Sequence, residues 1–300
     1  MHSRMSMYML TISLLSALVF TGCGKHKLVH KLSVKLAFEP SYSLHVMASK
    51  YIDLINYLSE ATGYRIEWIS STTHEGLIAA IEKGKADIAF VEPFHYVILR
   101  KTCGAVPFLK VLRRTSDGGA SASDAGMSRG LIIAHRNGAT PSLQDIADNL
   151  VMVPSRQSLF GYAAQLALCQ QRDIDLKSLR IVIGRRHDQV AIAVARGRVR
   201  FGFVREGALD EIADVINRER VAVIAKTEPF PNSCFVYFPE TERNRPQVLA
   251  KLKRALLALN EPTPEHKRIL QQAGWSGFVE VSDEEYAPVR HVLMRLNLPY

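Results

Sequence analysis

Three hundred residues, 47% of them apolar and 22% charged, are enough for one large domain or two ordinary ones and exclude an intrinsically disordered chain. The formal charge of +9 favours an anionic ligand or surface, but no zinc-finger spacing and no basic stripe interleaved with aromatics accompanies it, so nucleic-acid binding is set aside. No metal-ligand spacing joins the four cysteines and no nucleophile motif joins the serines, histidines and carboxylates, so no metal, cofactor or catalytic residue is expected.

Arg4 precedes an apolar run from Tyr8 to Phe20, too short for a membrane span and of the length of a signal-peptide core. The run ends in Thr21, Gly22 and Cys23, which resembles a bacterial lipobox with Phe20 where leucine is usual. The resemblance implies a lipoprotein signal peptide at 1–22, acylation of Cys23 and a linker at 23–30. Several acyl chains, at about 0.8 kcal/mol per buried CH₂, would hold the chain at a bacterial membrane, facing the periplasm or the cell exterior. The alternative is an ordinary signal peptide with an incidental cysteine. With Cys23 lipidated, Cys103, Cys169 and Cys234 remain, and their odd number allows one disulfide plus one thiol, or three thiols.

Beyond the linker, Leu32 to Phe38 alternates as a strand, Leu44 to Thr62 carries apolar residues at helical spacing up to Gly63, and Tyr64 to Ile69 reads as a second strand. A helix is expected from Thr73 to about Gly84, a strand at Ala86 to Val91, and another helix from Phe94 to Leu99. The order is that of a parallel α/β unit, whose ligand-facing turns lie at the carboxyl edge of the sheet, here near Tyr42 and Pro93. The Gly- and Ser-rich stretch from Ser116 to Ser128 marks a boundary. A second α/β series follows: strands at Leu131 to Ala134, Leu150 to Val153, Leu179 to Ile183 and Phe201 to Val204. A short helix from Pro141, a loop from Pro154 to Tyr162 running into an Ala-rich helix, and a helix through Arg196 lie between them. Strands at Val221 to Ala225 and Cys234 to Phe238, and an amphipathic helix from Arg245 to Leu259, complete the reading.

Several pieces, in order over about residues 30 to 290, carry a resemblance. They are Leu77 to Val91, Pro93 to Tyr96, Ser158, Gly161 with Tyr162, His187 with Asp188, Pro229 to Val236, and Gly277 to Tyr286. Together they resemble the phosphate/phosphite/phosphonate (PhnD-like) solute-binding family of ATP-driven transporters. That resemblance implies an α/β, type 2 periplasmic-binding-protein fold, with two lobes around a central ligand cleft: lobe 1 from 31–115 and 223–300, lobe 2 from 116–222, with crossings near Leu112 to Ser116 and Val221 to Ala225. It implies Tyr42 and Tyr96 as aromatic ligand contacts, His187 as a cleft histidine, and Ser158, Gly161 and Tyr162 as an oxyanion loop at a helix start. Free amides, hydroxyls and the helix dipole favour negative charge there. Arg205, after the second-lobe strand, is expected to enter the cleft. Leu159 and Phe160 replace hydroxyl donors of the family loop. Glu92 stands where glycine is more usual, and is open to repelling an anion, pairing with Arg205 or a ligand amine, or pointing away.

The expected function is that of a lipid-anchored, monomeric solute-binding component of an ABC importer, taking a small anionic, phosphonate-like ligand. The alternatives are the binding subunit of a membrane receptor, a binder of a different organic metabolite, and a structural lipoprotein without a small ligand.

Overall fold

Ser33–Phe38 (β1), Arg65–Ile69 (β2) and Ile88–Val91 (β3) run parallel, with β1 central, in a computed structural model that describes residues 32–113 and 125–300. The leader, Cys23, the linker and most of the Ser116 to Ser128 loop lie outside the described residues. Between β1 and β2 lies Leu44–Thr62 (α1). The Ser43 side chain accepts from the Val46 N–H to start it, and Gly63, at a left-handed φ of 76°, ends it. Met47, Tyr51, Leu54 and Leu58 form its buried stripe, and Tyr51 stacks on Phe38 of β1 at 4.6 Å between ring centres. His74–Glu82 (α2) joins β2 to β3, and Pro93–Cys103 (α3) follows β3 with proline in its first turn.

The chain then adds Val106–Leu112 (β4), a strand the sequence reading does not contain. Pro107 and Lys110 interrupt its apolar pattern, yet Lys110 is buried and its ammonium pairs with Glu285. Cys234–Tyr237 (β12) and Gly277–Glu280 (β13) return antiparallel, giving the sheet order β13-β4-β12-β3-β1-β2.

The second lobe is built on the same plan. Leu150–Val153 (β7), Arg180–Ile183 (β8) and Phe201–Arg205 (β9) are parallel, while Gly130–His135 (β6) runs antiparallel between β9 and Val221–Lys226 (β10). The sheet order is β10-β6-β9-β7-β8. Ala164–Gln171 (α4) and His187–Ala195 (α5) cover it. The short helix expected from Pro141 is a 3₁₀ turn at Gln144–Ile146, and the helix leading into α4 begins earlier than expected, with a π-helical turn at Leu159–Ala163.

Val221 to Ala225, expected to cross between lobes, is instead the edge strand β10 of the second sheet. The crossing on that side lies further on, where Phe230–Pro231 (β11) pairs antiparallel with Met127–Ser128 (β5). Asn232 fastens this crossover. Buried, it donates from Nδ2 to the carbonyls of Val111 and Ala125, both at 3.0 Å.

Pro239–Asn244 (α6), Pro246–Ala258 (α7), Pro264–Ala273 (α8) and Ala287–Arg295 (α9) return to the first lobe, where α7 and α8 pack on α1. No helix among the described residues is long and apolar enough to cross a membrane. Cys169 and Cys234 are buried and Cys103 half-buried, and all three are free thiols.

Candidate functional site

Parallel strands end at a common sheet edge, so the loops after them converge. After β1, β2 and β3 come Glu39 to Ser43, Ser70 to Thr73, and Glu92; after β7, β8 and β9 come Pro154 to Ser158, Gly184 to Arg186, and Glu206 with Gly207. The two sets face each other across an interlobe cleft. Its outer groove, about 530 Å³, includes Trp68, Ser71, His74, Pro154, Arg185 and Arg186. A groove of about 520 Å³ on another side includes Arg113, Ser128, Arg205, Glu211 and Trp275. Between the lobes lies an inner cavity of about 40 Å³, bordered by Glu39, Tyr42, Glu92, Arg113, His187 and Arg205 among others.

The helix start at Leu159 is held from behind. Gln165 is fully buried, and its Nε2 lies within hydrogen-bonding distance of the carbonyls of Phe160 (2.7 Å), Val204 (3.1 Å) and Leu131 (3.3 Å), tying the helix to β9 and β6. Gly161 is required by its neighbours: an added Cβ would stand 2.3 Å from Pro154 Cγ and 2.8 Å from His187 Cε1. The Leu159 N–H donates to Glu92 Oε1 at 2.6 Å, and the Ser158 hydroxyl donates to Glu92 Oε2 at 3.3 Å. Thus a first-lobe carboxylate caps a second-lobe helix.

Behind Glu92, its own N–H donates to Glu39 Oε2 at 2.6 Å. Glu39 Oε1 faces His74 Nε2 at 3.0 Å and His95 Nδ1 at 3.1 Å, and the two imidazoles stack at 4.8 Å. Burial alone would raise the Glu39 pKa. The positive His95 and the hydrogen bonds from both rings outweigh it and hold the carboxyl well below the usual range. Burial pulls His95 down, but Glu39 outweighs it and moves the ring up to about 9. Burial and the neighbouring Glu39 push Glu92 up to about 8. The three ligand atoms of Glu39, His74 and His95 lie within 4.8 Å of one another, a donor set able to hold a divalent cation. Their hydrogen bonds to one another account for the same placement.

Toward the crossover, Arg205 Nη2 donates to the Tyr42 hydroxyl at 2.6 Å, which in turn donates to Glu211 Oε2 at 2.9 Å; Arg205 and Glu211 are also directly paired. Burial raises Glu211, but Arg205 dominates and brings it to about 2. Arg113 donates to the Gly274 carbonyl, and Lys50 lies 5.0 Å over the Tyr42 ring. The Arg205 backbone N–H donates to His187 Nδ1 at 3.1 Å, and burial together with the Arg205 charge lowers that ring to about 3. His187 is therefore neutral, with its proton on Nε2.

Of the residues expected from sequence, Tyr42, Ser158, His187 and Arg205 meet in the cleft, and Gly161 packs directly behind His187. Tyr96 does not. Fully buried, it faces the first-lobe core, with its ring 4.6 Å from Tyr286 and its hydroxyl on Asp283. One residue turns a helix by about 100°, so the α3 side chain aimed at the cleft is His95. Tyr162 lies in the second-lobe core, its hydroxyl accepting from Arg156 Nη1 at 2.8 Å. Glu92, half-buried, reaches Ser158 and Leu159 rather than Arg205. Glu39, His74, His95, Arg113 and Glu211 are cleft residues that the motifs did not single out. Their one sequence signal is position: Glu39 directly follows β1, and His74 opens α2.

Residues 36–286 match the family model described as ABC transporter, phosphonate, periplasmic substrate-binding protein. The chain is 24% identical over 281 residues to the phosphate-import protein PhnD of Mycolicibacterium smegmatis, covering 87% of this chain and 84% of that one. Among solved structures, it resembles the binding-protein component of an ABC phosphonate transporter from Pseudomonas aeruginosa, with a TM-score of 0.75, 19% identity, and 89% and 87% of the two chains covered. It also resembles PhnD1 from Prochlorococcus marinus in complex with methylphosphonate, with a TM-score of 0.74, 14% identity, and 88% and 98% covered. The shared architecture is the type 2 periplasmic-binding fold, two α/β lobes around a cleft.

Proposed function

The chain belongs to the family of periplasmic substrate-binding proteins of phosphonate ABC transporters, and we propose that it captures a small, partly organic, phosphonate-like anion between its lobes and delivers it to an ABC permease. The observation that carries this reading is the charge at the inner cavity. Arg113 and Arg205 both border it, with Glu211 as the carboxylate paired to Arg205. Glu39 on the opposite wall is already engaged by two imidazoles, and Glu92 by the helix start. An anion entering from the crossover side meets guanidinium groups and the Nε2–H of His187. Tyr42, Tyr51, Phe90 and Phe160 at the same cavity supply surface for an apolar portion.

Calorimetry with methylphosphonate, phosphite and inorganic phosphate tests the ligand assignment. Methylphosphonate binds the wild type, and Arg113→Ala weakens that binding at least tenfold. Wild-type protein silent to all three probes removes it. The anchor rests on the lipobox, and mass spectrometry of the mature N-terminus checks it: the chain begins at an acylated Cys23, and an internal or unmodified Cys23 rules the anchor out.

A further inference from the structure

The helix start at Ser158 and Leu159, where the resemblance places the ligand's tetrahedral oxyanion, already holds two oxygens in this fold, and both belong to Glu92. One takes the Leu159 N–H at 2.6 Å and the other takes the Ser158 hydroxyl at 3.3 Å. Glu92 arrives from the opposite lobe at the end of β3, where the resemblance leads to a glycine, and Glu39 fixes its backbone. A glycine would leave the donors at 158 and 159 open to the cleft. We infer that Glu92 is a specificity-determining residue, a tethered carboxyl group that occupies this helix start and keeps tetrahedral oxyanions out of it.

The neighbouring residues are arranged to match. Leu159 and Phe160, which stand in place of hydroxyl donors, are buried with Ala163, Ala164 and Ala167 in one apolar cluster with Leu77, Phe94 and Leu293 of the first lobe. The segment that would cradle an anion is thus an interlobe seal, closed by its apolar side chains and pinned by the carboxylate. What remains open beside it is the cavity of about 40 Å³. An oxyanion reaching the Leu159 amide must displace Glu92, because that N–H and the Ser158 hydroxyl are already given to its two carboxyl oxygens. The carboxylate is part of the chain and does not dilute away. If the seated arrangement outnumbers the vacated one about tenfold, apparent affinity at those donors falls about tenfold. The anion is thereby steered to Arg113, Arg205 and His187, and the lobes have a latch that needs no ligand.

This inference rests on the cleft being the solute site. The test compares wild type, Glu92→Gly and Glu92→Ala by calorimetry with inorganic phosphate and with methylphosphonate. Circular dichroism confirms that each variant is folded, and small-angle scattering reads lobe closure without ligand. Both variants gain at least tenfold in phosphate and methylphosphonate affinity over wild type, keep that gain when Arg113→Ala is added, and scatter as a more open, larger particle when ligand-free. Folded variants with unchanged affinity and an unchanged radius of gyration overturn it. A wild type that binds methylphosphonate with no gain in either variant leaves the proposed function standing and overturns the role of Glu92. A wild type that binds neither probe beside a Glu92→Gly that binds both removes the ligand assignment and supports the role of Glu92.

Discussion

His187 Nδ1 accepts the backbone N–H of Arg205 at 3.1 Å, so one contact fixes the tautomer of the imidazole and the exit angle of the strand that carries the guanidinium. Replacing the ring by a phenyl of similar size removes that acceptor together with the Nε2–H that faces the ligand. His187→Phe leaves the Arg205 amide unpaired and is expected to lower unfolding free energy by about 1–3 kcal/mol, read by urea denaturation, and to weaken methylphosphonate binding. Because the ring is held neutral down to about pH 3, its donor state does not change between pH 5 and 8. Wild-type binding that switches on as a group with pKa near 6.5 becomes charged contradicts this assignment.

Stability should fall with rising pH between about 6.5 and 8. Glu92 is raised from its ordinary 4.5 to about 8, so over this window the native state holds a proton that the unfolded state has lost. His95, raised from 6.5 to about 9, does the same. Each contributes a loss of up to about 1.4 kcal/mol per pH unit. Below 6.5 the sign for His187 is opposite, since it is neutral in the fold and charged when unfolded, and it offsets Glu92 down to about 4.5. Denaturation midpoints measured from pH 5 to 8.5 should be nearly flat and then decline. Glu92→Gln removes one of the two declining contributions and roughly halves the slope. An identical slope in the variant would show that Glu92 titrates at an ordinary value.

The parallel strands were legible because each is a short apolar run ended by a polar turn, and α1 because its stripe, Ser43 cap and Gly63 stop agree. Strand β4 was not, because Lys110 is made acceptable inside the sheet by Glu285, a partner 175 residues away. The crossover was misplaced by a few residues for a related reason: Val221–Lys226 and Phe230–Pro231 are both extended, and only their pairing partners tell a sheet edge from a hinge. Within the site, residues at strand ends could be found from the chain, but the aim of a helical side chain could not. Tyr96 and His95 differ by one position on α3, and the packing of Tyr96 against Tyr286 decides which faces the cleft. The role of Glu92 depends on its reach to Leu159 across the lobes, which local pattern does not encode.

Gly161 has no room for a side chain. A methyl group there meets Pro154 at 2.3 Å and His187 at 2.8 Å, and the proline ring is rigid. Gly161→Ala should therefore cost about 1–3 kcal/mol of stability by overpacking. It should also displace His187 from Arg205, weakening ligand binding beyond what the stability loss accounts for. Calorimetry on the folded variant at low temperature separates the two effects, and full-affinity binding would show that the ring has room to move.

Tyr42 supplies the second bridge between the lobes, independent of Glu92. Its hydroxyl accepts from Arg205 Nη2 at 2.6 Å and donates to Glu211 at 2.9 Å. Arg205 and Glu211 both belong to the second lobe and pair with each other, so Tyr42→Phe leaves that pair intact and removes only the interlobe link. A hydrogen bond to a charged partner contributes about 1.5–3 kcal/mol, and about 1.4 kcal/mol corresponds to a tenfold change in a two-state population. The ligand-free variant should therefore be more open by at least about tenfold in the open-to-closed ratio, while its thermal unfolding changes little, because neither lobe's core includes the hydroxyl. Fluorophores placed one on each lobe report the ratio. Combined with Glu92→Gly the opening should add, since the two contacts share no partner. A Tyr42→Phe protein with wild-type closure would mean that the Glu92 contacts and the apolar seal at Leu159 and Phe160 hold the lobes together without it.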